Sequence, residues 1–151
     1  LAGLVAMRQA EGQRLEADLT QRLETLTAFT RTMARAAPQA AEAAWQRLKD
    51  RLEDLTDSEI DPQRLAQEAA ILADKSDVTE EVVRLESHLA QFSQMLAAGG
   101  SIGRKLDFLV QEIHREINTI GSKISQAELG QQVVEGKAEL EKMREQVQNL
   151  E

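Results

Sequence analysis

The sequence is poorest in the residues that cross-link, bend or stack. It contains no cysteine and no tyrosine and only two prolines, and aromatic residues make up 3% of its 151 residues. The absence of cysteine excludes disulfide bonds and thiolate metal sites and fits a reducing compartment. No run of 18 apolar residues and no basic leader before an apolar segment is present. We therefore expect no membrane segment and no export, and a cytoplasmic location.

Alanine, leucine, glutamate, glutamine and arginine dominate what is present, which is the composition of long helices. Twenty-six acidic and 18 basic residues give a net charge of −8. A negative net charge argues against binding nucleic acid over the whole surface of the protein, and we expect no DNA partner. A local basic site is compatible with this net charge. The sequence begins at Leu1 already in a helical pattern. We expect it to be a fragment whose N-terminal part is missing.

Hydrophobic periodicity predicts an all-α fold of about six helices, with a long helical arm joined to antiparallel hairpins or a bundle. Residues 1–56 are predicted to form the arm as an antiparallel hairpin, in which Pro38 ends the first helix. Residues 57–151 are predicted to form a C-terminal helical domain that carries the functional site. The apolar seam of the first helix is Leu15, Leu19, Leu26, Phe29 and Met33, and that of the second is Ala41, Trp45, Leu48, Leu52 and Leu55.

Helix-capping and turn-forming residues separate the helices of the C-terminal half. Asp61 and Pro62 have the residue types of an N-cap and a first helical position, and Asp77 with Glu80 resembles a capping box. The pair Gly99-Gly100 ends a helix and leaves room only for a helical hairpin. The last helix has glycine at position 136, where its stripe calls for a large apolar residue. That glycine either permits close backbone approach or costs about 1 kcal/mol of helix stability.

The run from Ile102 to Ile124 is the densest in distinct polar side chains. Its apolar residues recur every three or four positions and predict one buried stripe: Leu106, Leu109, Val110, Ile113, Ile117, Ile120 and Ile124. The flanking band consists of Glu112, Arg115, Glu116, Thr119 and Lys123. Two carboxylates spaced i, i+4 repel each other by a few tenths of a kcal/mol unless a positive charge lies between them.

The preceding helix has a matching flank, formed by Glu81, Arg84 and His88. In an antiparallel hairpin that turns near residue 100, His88 should lie level with Glu112, and Arg84 near Glu116. The geometry therefore predicts one groove that contains an imidazole, an arginine and two or three carboxylates.

Two interpretations of this groove follow from the residues. Carboxylate and imidazole suit Mg²⁺ or Mn²⁺, which would relieve the repulsion between the carboxylates. Alternatively the groove is a salt-bridge network in which Arg84 and Arg115 neutralise Glu112 and Glu116, with His88 hydrogen-bonded in place. His114 is predicted to be a surface residue. Neither histidine has glutamate three positions before it, so a metal-storing bundle of the ferritin type is disfavoured.

The basic residues nearest the groove could hold phosphates: Arg104, Lys105, Arg115 and Lys123. Phe108 is the only aromatic residue among them. We therefore do not expect base stacking to dominate any nucleic-acid binding.

Several segments resemble the bacterial YicC-like family. The residues that carry the resemblance are GRKLDFL at 103–109, Gln111-Glu112, Arg115-Glu116, Asn118-Thr119 and Gly121-Ser122-Lys123, together with DVTEE at 77–81, Arg84-Leu85, Ser87-His88-Leu89, the opening MRQAEG and the ending EKMREQVQNLE. The similarity covers essentially the whole sequence. Two positions depart from the family: His114, where asparagine is more usual, and Gly136, where a larger apolar residue is usual.

The resemblance implies a metal-dependent endoribonuclease that favours Mn²⁺ or Mg²⁺, assembles as a hexameric ring and has a further N-terminal domain of mixed α/β type. The residues carried over are His88, Arg84, Glu112, Arg115, Glu116, Asn118, Thr119, Ser122 and Lys123. With the resemblance, we predict an endoribonuclease rather than a non-catalytic oligomerisation or adaptor module.

Roles are predicted as follows. Catalytic residues are His88, Glu112, Glu116, Arg84 and Arg115; metal ligands are Glu112, Glu116, His88 and Glu81; and RNA or phosphate contacts are Arg104, Lys105, Arg115, Asn118, Thr119, Ser122 and Lys123. The expected partners are RNA and further copies of the same chain.

Overall fold

The structure, a computed structural model, describes residues 2–55, 60–124 and 126–150. This part of the chain is all-α, as predicted, and contains five helices rather than about six. They are α1 (Ala2–Leu55), α2 (Pro62–Ser76), α3 (Thr79–Ala98), α4 (Gly103–Lys123) and α5 (Gln126–Gln148). In these residues no helix is both long and apolar enough to cross a bilayer. The predicted domain boundary at 56/57 lies outside the described residues, and the division into an arm and a C-terminal domain stays a prediction.

The prediction that Pro38 breaks the first helix was wrong, and so was the antiparallel hairpin within residues 1–56. Helix α1 continues through Pro38 for 54 residues. Proline in a helix interior costs about 3 kcal/mol because it lacks an N–H group and crowds the preceding carbonyl. The neighbouring Ala37 and Ala40 are buried in the core, and α1 packs against α2, α3 and α5. This packing offsets the cost, because a reversal at Pro38 would forfeit it.

Helices α1, α3, α4 and α5 share one hydrophobic core, whereas α2 contributes no buried residue. The apolar stripe predicted for the central run is confirmed: Leu106, Leu109, Val110, Ile113, Ile117, Ile120 and Ile124 are all buried. The second predicted seam of the arm is less buried than this stripe. Trp45 is only half-buried and Leu55 is exposed. On α1 the buried core therefore ends at Ala40, and no residue of 41–55 is buried.

A tight turn joins α3 to α4. Gly99 and Gly100 have φ values of 66° and 87°, a region that side-chain-bearing residues rarely occupy. The N–H of Gly99 donates to the carbonyl of Met95 and closes the last turn of α3. The two helices then pack against each other, which confirms the predicted hairpin.

The glycine at position 136 allows α5 to approach α1 closely. A Cβ atom there would lie 3.0 Å from Cε2 of Phe29, tighter than ordinary van der Waals contact. The sequence raised close backbone approach as one alternative; the close contact observed is instead with the side-chain ring of Phe29.

An aspartate precedes the first turn of both α2 and α3, as the N-cap Asp61 of α2 and as Asp77 one residue before the N-cap Val78 of α3. Asp61 accepts a hydrogen bond from the N–H of Gln63 and Pro62 begins α2, as predicted. The predicted capping box at Asp77 is wrong in detail. Asp77 Oδ1 accepts from the N–H and the hydroxyl of Thr79, at 2.9 and 2.5 Å, whereas Glu80 binds Arg84 instead of reaching back.

Candidate functional site

Two ion pairs across α3 and α4 define the register of the predicted groove. Lys123 Nζ lies 2.7 Å from Oε1 of Glu81, and Arg84 Nη1 lies 3.9 Å from Oε1 of Glu116. The proximity of Arg84 to Glu116 is the one that the antiparallel count predicts. It follows that the flanks of the two helices meet on one side of the hairpin, and this side is called the α3–α4 groove below.

Lys123 connects three parts of the structure at the end of the groove away from the α3–α4 turn. Besides its pair with Glu81, it donates a hydrogen bond of 3.1 Å to the carbonyl of Asp77, which lies between α2 and α3. Glu81 is 5% exposed, and its Oε2 has no hydrogen-bond partner in the described residues. The ammonium group predicted to bind phosphate is thus engaged within the chain.

Glu116, in the middle of the groove, is 4% exposed. Its cationic neighbour Arg84 is half-exposed, is hydrogen-bonded to Glu80 on its own helix, and lies beyond hydrogen-bond distance of Glu116. Arg84 therefore offsets the buried charge of Glu116 only in part, and its guanidinium faces both solvent and groove.

His88 and Glu112 lie nearer the α3–α4 turn. Both side chains are half-buried. His88 lies one helical turn beyond Arg84, and Glu112 one turn before Glu116, so the register places them at the same level. The Nδ1 atom of His88 is buried and has no hydrogen-bond partner among the described residues, which leaves Nε2 as its accessible nitrogen. Buried polar atoms without a partner are uncommon in folded proteins.

The four predicted metal ligands do not converge. Within residues 2–55, 60–124 and 126–150, no three histidine, aspartate or glutamate side chains are close enough together to hold a metal ion. Glu81 faces Lys123, and Glu116 faces Arg84. As arranged in this structure, Glu81, His88, Glu112 and Glu116 do not fit a divalent cation as its sole ligands.

The remaining predicted contacts lie around the outside of α4. Arg104, Lys105, Arg115 and Ser122 are exposed, and Asn118 and Thr119 are half-buried. The hydroxyls of Thr119 and Ser122 donate to backbone carbonyls of their own helix, and the amide of Asn118 lies 3.1 Å from Nδ1 of His114. His114 is exposed, as predicted.

Charge is also concentrated where α3 begins. Two hydrogen bonds from Thr79 hold the pKa of Asp77 below its ordinary value of 3.8, and the positive charge of Lys123 adds to this lowering. Asp77 therefore stays ionised at neutral pH and marks the acidic end of the groove.

Comparison of the sequence with known proteins identifies its family. Residues 33–151 match the family described as "Endoribonuclease YicC-like, C-terminal". The chain belongs to this family. It is 46% identical to the "Probable endoribonuclease YicC" of Clostridioides difficile over 153 residues, and 41% identical to the protein of the same name from Haemophilus influenzae over 151 residues. Each alignment covers all of this chain and 52% of the relative, so the chain spans about half the length of these YicC relatives.

Two features of this YicC-like chain were missed by sequence reasoning. The first is that Lys123 pairs with Glu81, although counting outward from the turn places both near the far end of the hairpin. The second is that Phe108, an aromatic residue that would ordinarily be expected in a core, is 59% exposed. The first had a usable signal in the register. The second had only the position of Phe108 on the polar side of the helical wheel.

Proposed function

We propose that this chain is the C-terminal part of an endoribonuclease and that RNA phosphodiester bonds are cleaved at the α3–α4 groove. Family membership and the names of both relatives support the reaction class. The observation that carries the location is His88, a half-buried imidazole whose Nδ1 has no hydrogen-bond partner in the described residues. It lies level with Glu112 and one turn from Arg84, so acid–base and cationic groups meet in one groove.

Each side chain has a chemical task in this proposal. His88 Nε2 takes a proton from the attacking oxygen, either the 2′-hydroxyl of the RNA or a water molecule. Arg84 binds the phosphate and stabilises the charge that develops on it. Arg115, which is exposed on the outside of α4, contacts the RNA backbone beyond the groove. Glu116 holds Arg84 towards the groove through their electrostatic attraction.

Dependence on Mn²⁺ or Mg²⁺ is part of the proposal, although the described carboxylates and histidine do not form a complete ligand set. Mg²⁺ in phosphoryl-transfer sites is commonly held by one or two carboxylates together with substrate phosphates. Glu112, whose carboxylate makes no hydrogen bond or ion pair in the described residues, is the best available ligand, because the accessible Nε2 of His88 is assigned to proton transfer. A bound cation would supply charge neutralisation at the phosphate.

The test compares cleavage of a structured RNA by the 151-residue chain and by the full-length protein, with added Mn²⁺ or Mg²⁺ and with EDTA. His88→Ala and Glu112→Gln are expected to lower the cleavage rate by at least 100-fold. Glu86→Gln, an exposed carboxylate on the same helix, is the matched control. Unchanged rates in both groove variants would refute the site.

The products identify the attacking oxygen. A 2′,3′-cyclic phosphate indicates that His88 activates the 2′-hydroxyl, whereas a 5′-phosphate indicates attack by water.

A second candidate function is a non-catalytic helical oligomerisation or adaptor module. The observation that favours it is that the two cross-helix ion pairs, Glu81–Lys123 and Arg84–Glu116, already form a structural network. Under this alternative, Arg84→Gln changes stability or the assembled mass in analytical ultracentrifugation and no RNA cleavage is found. Assembly into a homo-oligomer, a hexamer by the resemblance, is proposed under either function and is measured in the same experiment.

A further inference from the structure

The solvent-facing side of α4 carries an aromatic residue between two arginines. Phe108 is 59% exposed, and Arg104 and Arg115 are exposed on the same side. At 100° per residue, these three side chains fall within about 40° of one another, opposite the buried stripe. Along the helix axis, Arg104 lies about 6 Å from Phe108, and Arg115 about 10 Å on the other side.

The charges of this strip are available to a partner. Among the described residues, neither the Arg104 nor the Arg115 side chain makes a hydrogen bond or an ion pair, and the nearby Asp107 accepts a hydrogen bond from Gln111. An exposed phenyl ring between two uncompensated guanidinium groups is unusual on a chain whose net charge is −8. The strip is therefore complementary to a partner that is both anionic and aromatic.

We propose that Phe108 stacks against an unpaired base of bound RNA, while Arg104 and Arg115 bind phosphates on either side of it. This inference rests on the proposed function and names its substrate more narrowly, as single-stranded or looped RNA. Stacking on aromatic rings beside basic side chains is the usual means of binding unpaired nucleotides. In an RNA duplex the bases are already stacked within the helix and do not reach the ring.

Charge distinguishes this strip from another exposed apolar residue. Val83 on α3 is 58% exposed, nearly the same fraction as Phe108, but its helical neighbours are Glu80 and Glu86. Those carboxylates would repel RNA. Val83 is therefore the matched control for loss of exposed apolar surface.

The test is fluorescence anisotropy of the 151-residue chain with labelled oligouridine and with an RNA duplex of the same length, in EDTA to suppress metal-dependent cleavage. Phe108→Ala is expected to weaken oligouridine binding by about ten-fold or more, and Phe108→Leu to weaken it similarly because leucine has no ring face. Phe108→Trp should retain the affinity. Val83→Ala should leave it unchanged, and duplex RNA should bind more weakly throughout.

Arginine variants test the phosphate contacts. Arg104→Gln and Arg115→Gln should each weaken binding and reduce the slope of log affinity against log salt concentration by about 0.7. Arg144→Gln, an exposed arginine on α5, should change neither quantity.

Several results would overturn the stacking site. They are a wild-type chain that does not bind oligouridine, an unchanged affinity in Phe108→Ala, or a Phe108→Leu variant that binds like wild type. A smaller assembled mass for Phe108→Ala in ultracentrifugation, with RNA affinity retained, would assign the strip to a second copy of the chain.

If binding depends on Phe108 but cleavage is insensitive to His88→Ala and Glu112→Gln, the stacking site stands and the catalytic groove fails. The reverse pattern leaves the groove standing and rejects the strip.

Discussion

Lys123 at the end of α4 holds the buried carboxylate of Glu81 at 2.7 Å, and the same ammonium group donates to the carbonyl of Asp77. The pair joins α3 to α4 at the end of the groove opposite the hairpin turn. Removing one partner of a buried ion pair leaves the other charge without compensation, which costs more than the pair itself contributes.

We therefore expect Lys123→Met to lower the free energy of unfolding by roughly 2–4 kcal/mol in urea denaturation. Glu81→Gln added to Lys123→Met should recover part of the loss, because the uncompensated carboxylate is gone. Lys142→Met, which removes an exposed partner of Glu139, should change stability by less than about 0.5 kcal/mol. Equal effects of the two lysine variants would contradict the buried pairing.

Gly136 and Phe29 provide a test of close helix packing. Gly136→Leu should destabilise the protein by about 1–3 kcal/mol, because the added atoms overlap the Phe29 ring. Gly12→Ala lies on α1 with no atom within 4 Å of the added Cβ, and should stabilise by up to about 1 kcal/mol. Gly136→Ala combines the same gain in helix propensity with a 3.0 Å contact, so its melting temperature should lie below that of Gly12→Ala.

Pro38 tests the continuity of α1. In an unbroken helix, Pro38→Ala restores the hydrogen bond to the carbonyl of Ala34 and removes a steric clash, and we expect a stability gain of about 1–3 kcal/mol by thermal unfolding. Pro38 is exposed, so little packing is lost. A destabilised Pro38→Ala variant would instead indicate that proline is needed to end a helix there.

Asp77 gives a pH-dependent prediction. Its pKa in the folded protein is lowered from 3.8, chiefly by the hydrogen bonds from Thr79. The ionised form is thus favoured by folding, and this contribution to stability is complete above pH 3.8 and is lost as the pH falls through the lower folded pKa. Asp77→Asn should be less stable than wild type at pH 7, and the difference should shrink in acid below pH 3.8. A pKa for the Asp77 carboxyl at or above 3.8 by NMR titration would contradict this account.

The predicted α3–α4 hairpin and the predicted proximity of Arg84 to Glu116 were both correct, for a geometric reason. A short turn with two glycines fixes which residues of a hairpin lie at the same level, so Arg84 and Glu116 could be paired by counting. What counting could not supply was the choice among neighbouring partners. Whether Glu81 faces a metal ion, a lysine side chain or solvent depends on side-chain rotamers and burial. The spacing of residue types in the sequence does not predict these.

At Pro38, by contrast, the prediction from local sequence failed. A local rule predicted a helix end, because proline is unfavourable in a helix interior whatever surrounds it. The outcome depended on distant packing of Ala37 and Ala40 against other helices, which no local pattern shows. The count of helices was therefore wrong, although the helical class was right.

The short connection between α3 and α4 also bears on how the molecule acquires its structure. These helices are separated by the four residues 99–102, whereas α1 meets α5 through contacts such as Arg22 with Glu139, 117 residues apart. Closing a long loop costs more chain entropy than closing a short one, so the α3–α4 hairpin should form early and the α1–α5 contact late. The candidate groove would then be assembled before the long helix docks, while the surface of α5 that receives it is still open to solvent.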